Sequence, residues 1–71
     1  MEEGFVKVWF ANKGYGFIGR PGQQDIFFHF SMISGTWEPR KGDKVAFDVE
    51  TDDMGRLRAK DVQLIPYQSE P

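Results

Sequence analysis

Residues 13–18 read KGYGFI and residues 25–30 read DIFFHF, and together these two segments decide the fold. Side chains alternate between the two faces of a β-strand, so each segment read as a strand places rings on one face. The members of that face are Tyr15, Phe17, Phe27 and His29. The members of the opposite face are Gly16, Ile18, Ile26 and Phe28. A sheet normally buries one apolar face and exposes the other face to water. A second, aromatic face beside a lysine is therefore suited to the stacking of unpaired bases.

The composition of the chain narrows the possible classes of protein. Its 71 residues allow one small domain, and they include no cysteine and a single histidine. A disulfide framework and a cysteine or multi-histidine zinc site are therefore excluded. The longest mostly apolar run, residues 26–33, is far shorter than the roughly 20 residues of a membrane-spanning helix, and the first residues lack a secretory pattern. We expect a cytoplasmic protein with no metal, no cofactor and no membrane association.

The charges of the chain are segregated along the sequence. The net charge is −2, which by itself speaks against a nucleic-acid partner. Residues 4–30, however, hold three lysine or arginine residues against one aspartate, whereas residues 43–53 hold five acidic residues against one lysine. A local patch matters more for binding than the total charge, so nucleic acid stays a possible partner.

Alternating hydrophobicity and turn residues predict five β-strands. They cover residues 5–10, 15–20, 25–30, 44–50 and 57–65. No amphipathic helix is predicted, and a closed barrel buries one face of each strand and removes the sheet edges. We therefore predict an all-β, five-stranded antiparallel barrel over residues 1–65, followed by a polar, disordered tail over residues 66–71.

At this point the sequence resembles a known family. The two segments are similar, in sequence and spacing, to the two ribonucleoprotein motifs of the cold-shock domain proteins. Further matches are HFS at residues 29–31, the alternating run from Val45, and Ala59 followed by Val62. The resemblance covers roughly residues 4–64. It implies an OB-fold barrel, a cold-shock domain over residues 1–65, binding of single-stranded RNA or DNA, and RNA-chaperone activity that needs no catalytic group.

Carried over residue by residue, the resemblance also implies roles for individual side chains. The cations that would contact the phosphate backbone are Lys7 and Lys13. The rings that would stack on bases are Tyr15, Phe17, Phe27, His29 and Phe30. Asp25 would accept a hydrogen bond from a base edge, and Trp37 in the long loop would close over the strand. Arg56 or Arg58 would flank the last hairpin, among the nucleic-acid-binding residues.

The first strand departs from the family pattern, Lys-Trp-Phe-Asn. Without a gap, Trp9 takes the place of the family's phenylalanine and Val8 that of its tryptophan. With a one-residue slip, Trp9 and Phe10 keep the family's pair and the next turn is shorter. Alternation favours the ungapped register, with Lys7 and Trp9 outward and with Val8 and Phe10 toward the core. Either register puts Trp9 at or near the surface, among the binding residues. The loop over residues 34–42 is also shorter than in common bacterial members.

Two alternatives remain open. Phe30 interrupts the alternation and is either a stacking residue or a core residue at the barrel end. The aromatic face could also serve a small protein-interaction barrel. Phenylalanines and nearby lysines favour nucleic acid over a groove for proline-rich peptides. We predict a monomer that is not an enzyme and whose partner is pyrimidine-rich single-stranded RNA or DNA.

Overall fold

The computed structural model describes residues 1–66, which form a closed five-stranded barrel. The strands are β1 (Glu2–Phe10), β2 (Tyr15–Gly19), β3 (Ile26–His29), β4 (Lys44–Thr51) and β5 (Leu57–Leu64), and a short 3₁₀ helix (Phe30–Met32) follows β3. The predicted tail over residues 66–71 lies outside the described residues, except for Pro66.

The strands close in the order β1-β2-β3-β5-β4. The pairs β1–β2, β2–β3 and β4–β5 are antiparallel, and so is the closing pair β1–β4. Strands β3 and β5 pair in parallel through Phe27 and Arg58. The predicted all-β, five-stranded barrel is confirmed, and one of its five pairings differs from the antiparallel expectation. The reason is topological. Because β4 runs antiparallel to β1, the hairpin that follows β4 returns β5 in the direction of β3.

Eight apolar side chains, each at most 1% exposed, fill the barrel. They are Val6, Ile18, Ile26, Phe28, Val45, Phe47, Ala59 and Val62. The alternation predicted for β2 and β3 is confirmed, because the residues between the buried ones keep part of their surface exposed. A domain this small buries a modest share of its surface, so each of these side chains contributes a large part of its stability.

A β-bulge interrupts β1 at Lys7. Val6 lies opposite Ile18 and Val8 lies opposite Phe17. Ile18 and Phe17 are consecutive in β2, whereas Lys7 stands between Val6 and Val8 in β1. The extra residue has no partner in the ladder, and every side chain after it changes face. Alternation read along β1 is therefore valid only as far as Val6.

The bulge overturns the predicted faces of the residues that follow it. Val8 and Phe10 were expected in the core and Trp9 outside, and this assignment is wrong. Trp9 turns toward the core, where its ring stacks on Phe28 with a centroid separation of 5.1 Å. Phe10 turns outward, lies opposite Tyr15 and is 37% exposed. Trp9 remains half-buried, so the broader expectation that it lies near the surface holds.

Candidate nucleic-acid interface

An array of aromatic side chains lies on the outside of the barrel over β2 and β3. We call Tyr15, Phe17, Phe27, His29 and Phe30 the aromatic platform. Strand register brings its members together, because Tyr15 pairs with His29 and Phe17 with Phe27. Ring centroids are 5.5 Å apart for Tyr15 and Phe27, and 5.9 Å apart for Phe17 and Phe27. These contacts are tilted or edge-on, and all five side chains keep part of their surface exposed.

Phe30 extends the platform past the end of β3. Its backbone N–H donates to the carbonyl oxygen of Gly14 at 2.9 Å. Its ring lies so close to Gly14 that a Cβ there would come within 2.7 Å of it, which only glycine avoids. Because Phe30 is 58% exposed, the alternative of a core residue at the barrel end is wrong.

His29 is held in a defined orientation. The backbone N–H of Ser31 donates to Nδ1 at 3.2 Å, and the Ser31 hydroxyl lies 3.0 Å from the same atom. Since Nδ1 accepts, Nε2 carries the proton in the neutral ring. The His29 ring also lies 4.5 Å from the Phe30 ring, centroid to centroid. The imidazole can therefore offer both a stacking surface and an N–H donor.

Lys7 and Asp25 form an ion pair with each other at one border of the platform. The ammonium lies 3.0 Å from the carboxylate, and the side chains are 58% and 37% exposed. The family resemblance implied separate roles for them, with Lys7 as a phosphate contact and Asp25 as a hydrogen-bond acceptor for a base. An exposed ion pair contributes about 0–1 kcal/mol, so exchange of either partner for a ligand group costs little.

The two arginines of the last hairpin lie beyond Phe27. Parallel pairing of β3 and β5 sets Arg58 beside Phe27, and its guanidinium lies 2.6 Å from the Glu50 carboxylate. Arg56 is 74% exposed and lies 3.0 Å from the Asp52 carboxylate. Arg58 is thus adjacent to the platform, whereas Arg56 projects from the turn.

Lys13 lies in the turn between β1 and β2. Its ammonium is 5.7 Å from the centroid of the Phe10 ring. Within the described part of the chain, no carboxylate comes within 4.0 Å of it. Of the two predicted phosphate contacts, Lys7 is paired with a carboxylate and Lys13, among the described residues, is not.

The two tryptophans line one cleft, of about 480 Å³, between the β1–β2 turn and the long loop. The Trp37 indole N–H donates to the carbonyl oxygen of Ser34 at 2.9 Å, and the ring packs half-buried against the core. The Trp9 indole N–H is buried without a hydrogen-bond partner among the described residues. Phe30 also borders the cleft, so both indoles lie close to one end of the platform.

Comparison with known proteins decides the family. The family model described as 'Cold-shock' DNA-binding domain matches residues 2–65. The chain belongs to the cold-shock domain family. The resemblance and the OB-fold barrel predicted from the sequence are thereby confirmed. Membership supports nucleic-acid binding, with single strands as the class of partner, in a family that is not enzymatic.

Individual relatives agree with this assignment. The cold-shock domain is 49% identical over 57 residues to the "Major cold shock protein" of Streptococcus pyogenes serotype M6, covering 78% of this chain and 85% of the relative. It is 46% identical over 61 residues to "Cold shock protein CspC" of Bacillus subtilis, covering 83% and 92%. A solved structure, "drosophila Unr CSD456", superposes with a TM-score of 0.76 at 29% identity. That match covers 99% of this chain and 29% of the fly chain.

Sequence reasoning missed one residue at the border of the platform and one cation on the outer face of β5. Phe10 was assigned to the core, and only the bulge turns it outward. Lys60 was not considered, although it lies two residues after Arg58 and therefore on the same outer face of β5. Alternation alone was enough to place Lys60 on that face. What the sequence lacked was the parallel pairing that sets β5 beside β3.

The described residues contain no group of three or more histidine, aspartate or glutamate side chains arranged to hold a metal ion. Among residues 1–66 there is also no helix with the length and apolarity needed to span a membrane.

Proposed function

We propose that this cold-shock domain binds single-stranded RNA or DNA by stacking unpaired bases on the aromatic platform. It would thereby act as an RNA chaperone or a regulator of gene expression. The observation that carries the proposal is the platform itself, five adjacent aromatic side chains outside a barrel whose core is already filled by other residues. We further propose that the protein binds as a monomer and prefers pyrimidine-rich strands.

Stacking supplies most of the binding free energy in this proposal. Each base stacked on an aromatic ring contributes about 1–3 kcal/mol. Four or five such contacts, reduced by the cost of ordering the strand, correspond to binding in the micromolar to nanomolar range. The energy comes from ring faces that a base can reach, so the base must be unpaired and unstacked from its neighbours.

Selectivity for single strands follows from the same requirement. In a duplex the base faces are covered by neighbouring pairs, and opening them costs the stacking that the platform would provide. A protein that binds the open strand lowers the population of hairpins by mass action. RNA-chaperone activity therefore needs no catalytic side chain.

A fluorescence titration tests the proposal. The protein is titrated with a pyrimidine-rich single strand and with the same sequence as a duplex, and tryptophan emission is followed. We expect quenching by the single strand alone, because the tryptophan cleft adjoins Phe30. The variants Trp9→Phe and Trp37→Phe each leave one indole and assign the signal to it.

A gel-shift assay with the same oligonucleotides provides a readout that does not depend on the tryptophans. If neither assay detects single-strand binding, the proposal is wrong and the protein-interaction alternative replaces it. Equal affinity for single strand and duplex would also contradict it, since backbone contacts would then dominate over stacking.

A further inference from the structure

Phe10 adds a ring to the edge of the aromatic platform. Its centroid lies 5.5 Å from that of Tyr15, with an interplanar angle of 61°, and 37% of the residue is exposed. Phe10 of β1 pairs with Tyr15 of β2, and this pairing fixes the position of the Phe10 ring. In the ungapped register the family pattern has asparagine at this position, and in that register the ring is an addition in this chain.

A cation lies against this added ring. The Lys13 ammonium is 5.7 Å from the Phe10 centroid and, within residues 1–66, has no carboxylate within 4.0 Å. The ring offers a stacking surface for a base, and the ammonium offers a positive charge for a phosphate. Together they provide the two groups that would bind one nucleotide. Phe5, the other exposed phenylalanine of β1, lies five residues before Phe10 and beside Gly19, the last residue of β2.

We propose that Phe10 and Lys13 together form an additional nucleotide subsite at the β1–β2 turn. The base of one nucleotide stacks on Phe10, and the Lys13 ammonium moves from the ring to the adjoining phosphate. This inference rests on the proposed function and specifies where the bound strand continues beyond Tyr15.

Three variants and a labelled pyrimidine-rich strand of about eight nucleotides test the subsite by fluorescence anisotropy. Phe10→Ala should raise Kd about five-fold or more, whereas Phe10→Tyr, which keeps an aromatic face, should stay within about two-fold of the unmodified protein. Phe5→Ala is the matched control on the same strand, and we expect its Kd to be unchanged. Thermal unfolding of each variant verifies that the barrel is intact at the temperature of the titration.

A double-mutant cycle then tests whether the two residues serve one nucleotide. Phe10→Ala and Lys13→Gln should together weaken binding by less than the product of their separate effects. Additive free energies would overturn the shared subsite. So would an unchanged Kd in Phe10→Ala, or an equal loss in Phe5→Ala.

The variant Phe17→Ala separates failure of the subsite from failure of the proposed function. If Phe17→Ala weakens binding and Phe10→Ala does not, the subsite is wrong and the platform stands. If neither weakens binding, both inferences are wrong.

Discussion

At the scale of single residues, Phe27 and Phe28 differ in the face of β3 to which they point. Phe28 is completely buried between the strands, whereas Phe27 is half-buried on the outside among other rings. The same residue type therefore has two different energetic roles at adjacent positions. One stabilises the fold, and the other is available to a ligand.

Substitution by alanine distinguishes the two roles. Phe17→Ala and Phe27→Ala should each weaken single-strand binding about ten-fold, since each removes one stacking surface, while the barrel still folds. Phe28→Ala should instead lower the free energy of unfolding by about 3–5 kcal/mol, because it leaves a cavity in the core. Oligonucleotide titration and urea denaturation of the three variants measure both quantities. Unfolding of Phe17→Ala or Phe27→Ala in step with the loss of binding would contradict their assignment to the outer face.

Gly16 is required by the close approach of two strands. A Cβ at this position would lie 2.2 Å from the carbonyl oxygen of Val8 and 2.9 Å from the Trp9 ring. Gly16→Ala should therefore lower the free energy of unfolding by about 1–3 kcal/mol, measured by urea denaturation. Gly22→Ala is the control without a steric clash, because nothing lies within 4 Å of the added Cβ. Its φ of 71° still disfavours a side chain. A smaller loss in Gly16→Ala than in Gly22→Ala would contradict the packing argument.

At the scale of elements, the β4–β5 hairpin depends on one carboxylate. Asp52 accepts hydrogen bonds from the backbone N–H groups of Met54 and Arg56, both at 2.9 Å, and from Arg56 Nε at 3.0 Å. The backbone N–H of Arg56 is the main cause that holds the pKa of Asp52 below its ordinary value of 3.8. The folded protein thus favours the charged form more than the unfolded chain does.

This difference makes stability depend on pH in a defined direction. The contribution of Asp52 is complete above the ordinary aspartate pKa and is lost as the pH falls through the lower, folded-state value. Asp52→Asn should lower the free energy of unfolding at pH 7, and the difference from the unmodified protein should shrink below about pH 4. Urea denaturation across this range is the measurement, with Asp53→Asn as the neighbouring control. A difference that stays constant with pH would show that the charge of Asp52 is not involved.

At the scale of the whole molecule, ion pairs limit the charge available to a nucleic acid. Arg20, one of the cations counted in the basic segment, is bonded to Glu2 and its side chain is 7% exposed. Lys7, Arg56 and Arg58 each have a carboxylate partner. For these side chains, unlike Lys13, contact with a phosphate must therefore replace an ion pair with a carboxylate, and we expect few counterions to be released.

The salt dependence of binding follows from this count. If about three phosphates are neutralised, the logarithm of the association constant should fall against the logarithm of the salt concentration with a slope of about −2. Anisotropy titrations between about 50 and 300 mM salt measure the slope. Lys13→Gln should make it shallower. A slope as steep as about −5 would contradict a stacking-dominated interface and indicate broad contact with the phosphate backbone.

The fold and most of the platform were predictable from local patterns. Alternation is reliable in β2 and β3, because their residues pair one to one across the hairpin and each apolar residue belongs to one face. The same rule failed in β1, because one extra residue at Lys7 reversed the faces of Trp9 and Phe10. A bulge is a property of two paired strands, so a pattern read along one strand does not contain it.

The sequence by itself determined the five strands, the barrel, the family and the outward direction of Phe17 and Phe27, because these depend on a period of two residues and on motifs short enough to read locally. Tertiary structure alone decided that Phe10 lies at the edge of the platform, that Trp9 turns toward the core, and that Arg58 lies beside Phe27. It also decided that Lys7 is bound to Asp25, 18 positions away in the chain. Such relations arise when the strands pair and the barrel closes, because only then do distant residues share one surface.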